Sequence, residues 1–248
     1  MKRILVALIL CAQSAFASLP NQHTKLLPFV QESPDQGDVA SCLYMSTTGA
    51  IELLLNQKYN IRYPQKGELF DISERFTINL PGSQGSSWHL TALSKLNQNW
   101  AIAESDLPFN AWTESGGVDR SMWRRPAGFY SLPRMKIDHN FKAKKLFIRG
   151  KRYAKYVIQS GDIELVKKAI VENNAPVLTN YNHDGWWHMI NIVGYDDNAK
   201  GECTHTPEPE CTKLGGFYVR DSLGKDVHLR SYDWFRVNVN AAFSVTLK

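Results

Sequence analysis

A glutamine, Gln36, stands six residues ahead of a cysteine, Cys42, and that cysteine opens an apolar run from Leu43 to Leu55. No other stretch constrains the chain as much. Apolar residues at 43, 50, 51, 54 and 55 place one buried stripe on a helix expected over Leu43 to Gln57. A thiol at the N-terminus of a helix feels the positive end of the helix dipole, which favours the nucleophilic thiolate. A buried structural cysteine is the other reading of the same residues, because free thiols are often buried. The stretch alone leaves both open.

The start of the chain bears on that choice. Lys2-Arg3, the apolar core Ile4 to Ala12 and the small-x-small site Ala15-Phe16-Ala17 have the layout of a secretory leader, too short to span a bilayer. Residues 1–17 are expected to be a signal peptide, with the mature chain beginning near Ser18 and destined for secretion or the periplasm. No later stretch is long and apolar enough to cross a membrane. Loss of Cys11 with the leader leaves Cys42, Cys203 and Cys211. In an oxidising compartment, Cys203 and Cys211 are the natural disulfide pair, eight apart around a turn-rich insert. A metal clip through His205 is the weaker alternative, since the insert offers few other ligands. Cys42 is then the odd thiol, and an unpaired cysteine in an exported chain calls for a function.

The 248 residues, 43% hydrophobic and 21% charged, are enough for one large domain or two lobes. Two units of the +5 formal charge, Lys2 and Arg3, belong to the leader, leaving +3. The one dense basic run, Lys142 to Lys155, carries no nucleic-acid motif and reads as a solvated face. Helical patterns dominate the first half, and a further helix is expected over Ile163 to Glu172. Strands are expected over Lys144 to Ile148, Val177 to Tyr181, Ile190 to Tyr195, Phe217 to Arg220 and Ala241 to Leu247. A helix-rich half followed by a strand-rich half describes an α+β chain with a cleft between two lobes.

The run Gln36-Gly37-Asp38-Val39-Ala40-Ser41-Cys42-Leu43-Tyr44-Met45-Ser46 resembles the nucleophile segment of the papain-like cysteine proteases, Q-G-x-C-G-S-C-W-[AS]-F-S. Gln36, Gly37, Ser41, Cys42 and Ser46 match it, while Val39, Ala40, Leu43 and Met45 do not. Asp71 to Phe76 resembles the family's L-S-E-Q segment, and Ala101 to Phe109 its G-[IV]-x-x-E-x-x-Y-P-Y run. The family's C-x-G-G loop falls on Gln84 to Ser87. Its cysteine and the partner cysteine at position 39 are absent together, and Ser86-Ser87 replaces the glycine pair. Only 24 residues separate Ser18 from Cys42, so the long inhibitory pro-segment usual in the family is expected to be missing.

The resemblance implies a two-lobed papain-like fold spanning residues 18–248. A helical lobe would cover about 18–130 and an antiparallel β lobe about 131–248, with the active site in the cleft. It also assigns roles. Cys42 is the nucleophile. His188, in Trp187-His188-Met189-Ile190-Asn191-Ile192-Val193-Gly194-Tyr195, fits H-[AG]-x-x-x-x-G-Y and is the base. Asp221, in Asp221-Ser222-Leu223-Gly224, takes the asparagine place of N-S-W-G and orients His188. Gln36 joins the Cys42 amide in holding the oxyanion. His183 is the competing base, in a segment that reads as a turn. Leu223 stands where the family has a tryptophan that shields the His–Asn hydrogen bond, a task left to Trp186 or Trp187. Trp187 and Met189 are expected to form a bulky apolar wall beside the substrate.

The chemistry so implied is hydrolysis of peptide bonds through a thioester, with a protein or peptide as partner and no metal or cofactor. Neither nucleic acid nor membrane is expected as a partner, and the chain is expected to be a monomer. Two rivals stay open. One is a cysteine acyltransferase of the bacteriocin-processing (C39-like) or transglutaminase-like kind, which shares the order of residues. The other is a papain-like fold that binds without catalysing, which the departures at Ala40, Leu43, Ser86-Ser87 and Leu223 favour.

Overall fold

The computed structural model describes residues 18–64, 70–83, 90–98, 100–135, 137, 140–149, 160–183, 186–203, 214–224 and 226–247. The expected signal peptide, the Gln84 to Ser87 loop and Cys211, and with it the Cys203 pairing, lie outside the described residues. A short strand β1 (Gln22–His23) precedes helices α1 (Cys42–Lys58), α2 (Glu74–Asn79) and α3 (Thr91–Gln98). Strand β2 (Phe141–Ile148) and helix α4 (Ser160–Asn173) lead into strands β3 (Val177–His183), β4 (Trp186–Asp196), β5 (Gly216–Arg220) and β6 (Val227–Ser231). Helix α5 (Tyr232–Asn238) and strand β7 (Val239–Leu247) follow.

Helix α1 is buried on every side from Tyr44 to Asn56, not along one stripe, because it packs at once on β4, α2 and α3. Its buried hydroxyls are satisfied within the helix: Thr47 and Thr48 donate to the carbonyls of Leu43 and Tyr44 at 2.7 and 2.9 Å. Helix α2 starts where Ser73 Oγ accepts the Phe76 N–H at 3.1 Å, an N-cap that fixes the chain's turn out of the preceding loop.

The strands form one antiparallel sheet in the order β2-β7-β3-β4-β5-β6, with β1 added against β4. Exposed Lys142, Lys144 and Lys145 lie on the edge strand β2, where charge discourages pairing with another chain. Strand β4 begins earlier than the sequence pattern indicates. The ladder with β3 continues through Asn182↔Trp187 and Tyr181↔His188, so His188 lies inside the strand instead of just before it. Strand β6 and helix α5 have no clear sequence pattern. The first is half-buried along most of its length, and the second is set by Ser231 Oγ accepting the Trp234 N–H at 2.9 Å.

The core is layered accordingly. One cluster, with Ile170, Tyr195, Phe217 and Phe235, fills the space between the sheet and α4 and α5. A second joins α1 to the other sheet face through Ile51, Leu54, Leu178, Met189 and Phe243, and Cys42 packs against its margin. Two smaller clusters, around Met45 and Ile78 and around Phe76 and Phe129, hold the helical half together. The N-terminus of α1 is thereby pinned where the helical half meets the sheet.

Candidate active site

Cys42 is the first residue of α1. The turn that delivers it needs a glycine: Gly37 has φ 50°, and a Cβ there would come within 2.6 Å of the Trp112 ring. Asp35 Oδ1 accepts the Gly37 N–H at 2.8 Å, and the Gln36 carbonyl accepts the Val39 N–H at 3.0 Å. Ser41 donates its hydroxyl to the Val39 carbonyl at 3.2 Å and does not cap the helix. The first amides of α1, that of Cys42 included, are left without a side-chain cap. Cys42 is a free thiol, partly exposed, with Sγ 3.9 Å from the Trp187 carbonyl oxygen.

His188 meets Cys42 from the sheet side. Its Nε2 lies 2.7 Å from Asp221 Oδ1, both residues being buried at 6% and 7% exposure. Cys42 also acts on the ring and favours its protonated form, and with Nε2 engaged by Asp221 the ring nitrogen left for the thiol is Nδ1. Burial alone would pull the His188 pKa down. The bond to Asp221 and the interaction with Cys42, with the charges of both, outweigh it and push the pKa up to about 9. Burial correspondingly pushes Asp221 up, and the bond and charge of His188 overcome it, so that carboxyl is held below its usual range. The Leu223 N–H also donates to Asp221 Oδ1 at 3.1 Å. The competing base, His183, is the last residue of β3, and its side chain lies outside the described residues.

Gln36 is buried and tied to the same loop as Asp221. The Ser222 hydroxyl donates to Gln36 Oε1 at 2.6 Å, and the Gln36 N–H donates to the Ser222 carbonyl at 2.9 Å. With Oε1 occupied, the amide nitrogen is the face turned away from Ser222, and it is a donor. One turn, Asp221-Ser222, therefore braces both His188 and Gln36. The role of Ser222 is not legible from spacing, since the two residues are 186 apart.

Part of the expected shield of the His188–Asp221 bond lies outside the described residues. Trp187 is 48% exposed and turns only its carbonyl to Cys42, and the Trp186 side chain lies outside the described residues. Tyr181 stacks edge-on against His188 at 5.3 Å, and Trp234 packs against Tyr181 at 5.0 Å. Leu223 is 53% exposed, and beside it a cavity of about 180 Å³ opens onto Asp221. Met189, placed by the sequence reading in a substrate wall, is buried in the cluster that Cys42 abuts. Among the described residues no group of three or more His, Cys, Asp or Glu is arranged to hold a metal.

Arg220, next to Asp221, points the other way. It donates to the carbonyls of Gln31 and Glu32 at 3.0 and 3.1 Å and pairs with Glu52 at 3.6 Å. Its guanidinium lies so close to α1 that a Cβ on Gly49 would come within 1.7 Å of Nη1. Near it lie Glu52 and Glu74, both buried, with half-buried Glu104 and exposed Asp71 beside them. Burial first, and then the charge of Glu74, raises Glu52 to about 8. Burial, with the charges of Asp71 and Glu52, raises Glu104 to about 8 against the Phe109 N–H that it accepts.

No family profile and no curated protein matches the sequence. Solved structures do match the fold. The cysteine protease and lectin-like domains of Cwp84, a surface layer associated protein of Clostridium difficile, superpose with a TM-score of 0.61 at 17% identity, over 92% of this chain and 52% of that one. Digestive procathepsin L 3 of the Tenebrio molitor larval midgut gives 0.58 at 18% identity, over 94% and 72%. The Carica candamarcensis cysteine protease CMS1MS2 gives 0.56 at 15% identity, over 92% and 98%. The chain spans about half the length of the Cwp84 structure. The fold is thus the two-lobed α+β fold of the papain-like cysteine proteases.

Proposed function

We propose that the protein is a cysteine endopeptidase, exported to the periplasm or the outside of the cell, that hydrolyses peptide bonds through a thioester on Cys42. The observation that supports it most is the His188 ring, bound at Nε2 by Asp221 and raised in pKa by that bond and by Cys42 at the start of α1. In this reading Cys42 attacks the peptide carbonyl as a thiolate paired with the His188 imidazolium. The Cys42 N–H and the Gln36 amide hold the oxyanion. His188 gives its proton to the leaving amine, then draws a proton from the water that hydrolyses the thioester. Asp221 keeps the ring oriented and steadies its charged form. The partner is a protein or peptide chain. Among the described residues no helix is long and apolar enough to cross a membrane.

The test pairs casein hydrolysis with alkylation of the purified protein. Hydrolysis that Cys42→Ser abolishes, together with rapid alkylation of Cys42 that His188→Ala slows, is the expected result. Incorporation of a primary amine without hydrolysis would replace the peptidase by an acyltransferase. Neither activity, with a thiol indifferent to His188→Ala, would leave a binding protein.

A further inference from the structure

The Asp221 carboxylate raises a problem that an amide in its place would not. It is buried, and a buried anion is costly unless a cation matches it. While His188 is protonated the two charges balance. On the peptidase reading above, on which this inference rests, His188 surrenders its proton to the leaving amine. At that moment Asp221 faces a neutral ring, and the site needs a second positive charge.

Strand β6 supplies one. In its antiparallel register with β5, Arg230 stands opposite Phe217, and its side chain, 18% exposed, opens onto the same cavity of about 180 Å³ as Asp221. That cavity is also lined by Tyr181, Leu223, His228 and Trp234. The guanidinium is held by two neighbours: Nη1 lies 3.2 Å from Glu202 Oε2, and Cζ lies 5.7 Å from the centre of the Trp234 ring. We propose that Arg230 is a positioning residue of the reaction, which keeps Asp221 ionised and directed at His188 through the steps in which His188 is neutral. The pair Asp221 and Arg230 then does jointly what a neutral acceptor under a tryptophan ring does in the family that the sequence resembles.

The charges around the pair agree with this. Asp221 is faced by His188 from β4, by Tyr181 from β3, and by Arg230 and His228 from β6, while His188 is also faced by Cys42 from α1. Glu202 lies 3.8 Å from His228 Nδ1 and also pairs with Arg230. Arg230 acts on both neighbours in one sense. It helps to lower Asp221, after His188 and the Leu223 N–H. It also pulls down Tyr181, which burial and the Asp221 charge push up.

The test reads the His188 ring directly, so it does not depend on turnover. Titration of His188 is followed by NMR in a Cys42→Ser background, with and without Arg230→Met. Loss of the arginine charge is expected to raise the His188 midpoint by about one pH unit, since Asp221 is then shared with no other strong cation. Arg230→Lys, which keeps the charge, is expected to restore the original midpoint and also serves if Arg230→Met does not fold. Asp221→Asn combined with Arg230→Met is expected to bring the midpoint below that of Arg230→Met alone. A midpoint unmoved by Arg230→Met, or moved equally by Arg230→Lys, overturns the proposal. Absence of peptide hydrolysis by the unaltered protein would instead overturn the peptidase reading, and the titration tells the two failures apart.

Discussion

Consecutive residues at the end of β5 reach into two polar groups that differ in their balance of charges. Asp221 turns to His188, with Arg230 across a small cavity, and its carboxyl is held below the usual range. Arg220 turns to the helical half, where it pairs with Glu52, and the carboxyls of Glu52, Glu74, Glu104 and Asp71 are all pushed up. Desolvation opposes ionisation in both places. The outcome differs because the first group has a cation for its one carboxylate, and the second has one cation for four carboxyls. Burial alone therefore decides neither state; the ratio of partners does. The first group is therefore held toward its charged form, whereas burial in the second pushes Glu52 and Glu104 toward the protonated form.

The contrast can be broken most severely at the charged group. Cys42→Ser or His188→Ala is expected to lower kcat/KM on a peptide substrate on the order of 10⁴-fold or more, since each removes a member of a unit that acts together. Steady-state kinetics with a melting curve on the same samples separates this from unfolding.

The acid group is expected to show itself in stability against pH. The folded pKa of Glu52, about 8, lies above the ordinary 4.5 of the unfolded chain, so the folded state holds more protons between those values. Its contribution is complete below pH 4.5 and is lost as pH rises to about 8. The loss is on the order of 5 kcal/mol, or a melting temperature lower by about 10 to 20 °C. His188, raised to about 9, adds a loss of the same sign at higher pH. Glu52→Gln keeps an acceptor for the Ile72 N–H, which Oε1 now accepts at 2.8 Å, and is expected to flatten the slope between pH 5 and 8. An unchanged slope by calorimetry would show that the carboxyl is already ionised.

Smaller effects sharpen the comparison at its edges. Gln36→Ala is expected to reduce kcat by 10² to 10³, ~3 kcal/mol of barrier, with little change in KM. Gly49→Ala would drive a methyl into the Arg220 guanidinium. It is expected to cost about 2 kcal/mol of stability by displacing its bonds to Gln31 and Glu32. Denaturant melts of the variant measure it, and the peptidase activity of the folded fraction is expected to persist.

Much of this molecule is written locally. The apolar run that makes the helix at Cys42, the periodicity of the α4 helix before Pro176 and of the central strands, and caps such as Ser73 all act within a few residues. The four candidate site residues were likewise legible, because each lies in a short run whose spacing resembles that of one family. The earlier start of β4, the existence of β6 and the packing of Tyr181 and Trp234 beside His188 were not. Strand β6 is half-buried along most of its length, so it has no alternation to read, and its place depends on pairing with β5.

What the sequence by itself determined was therefore the identity of the candidate site residues and the order in which the chain presents them. The tertiary structure decided their company. Ser222 reaches Gln36 across 186 residues, Arg220 reaches Glu52 rather than the site beside it, and Arg230 opens onto Asp221. The physical reason is range. Helix and strand patterns report on neighbours a turn or two away, whereas the charge state of a buried group depends on everything within a few ångströms, whichever part of the chain supplies it.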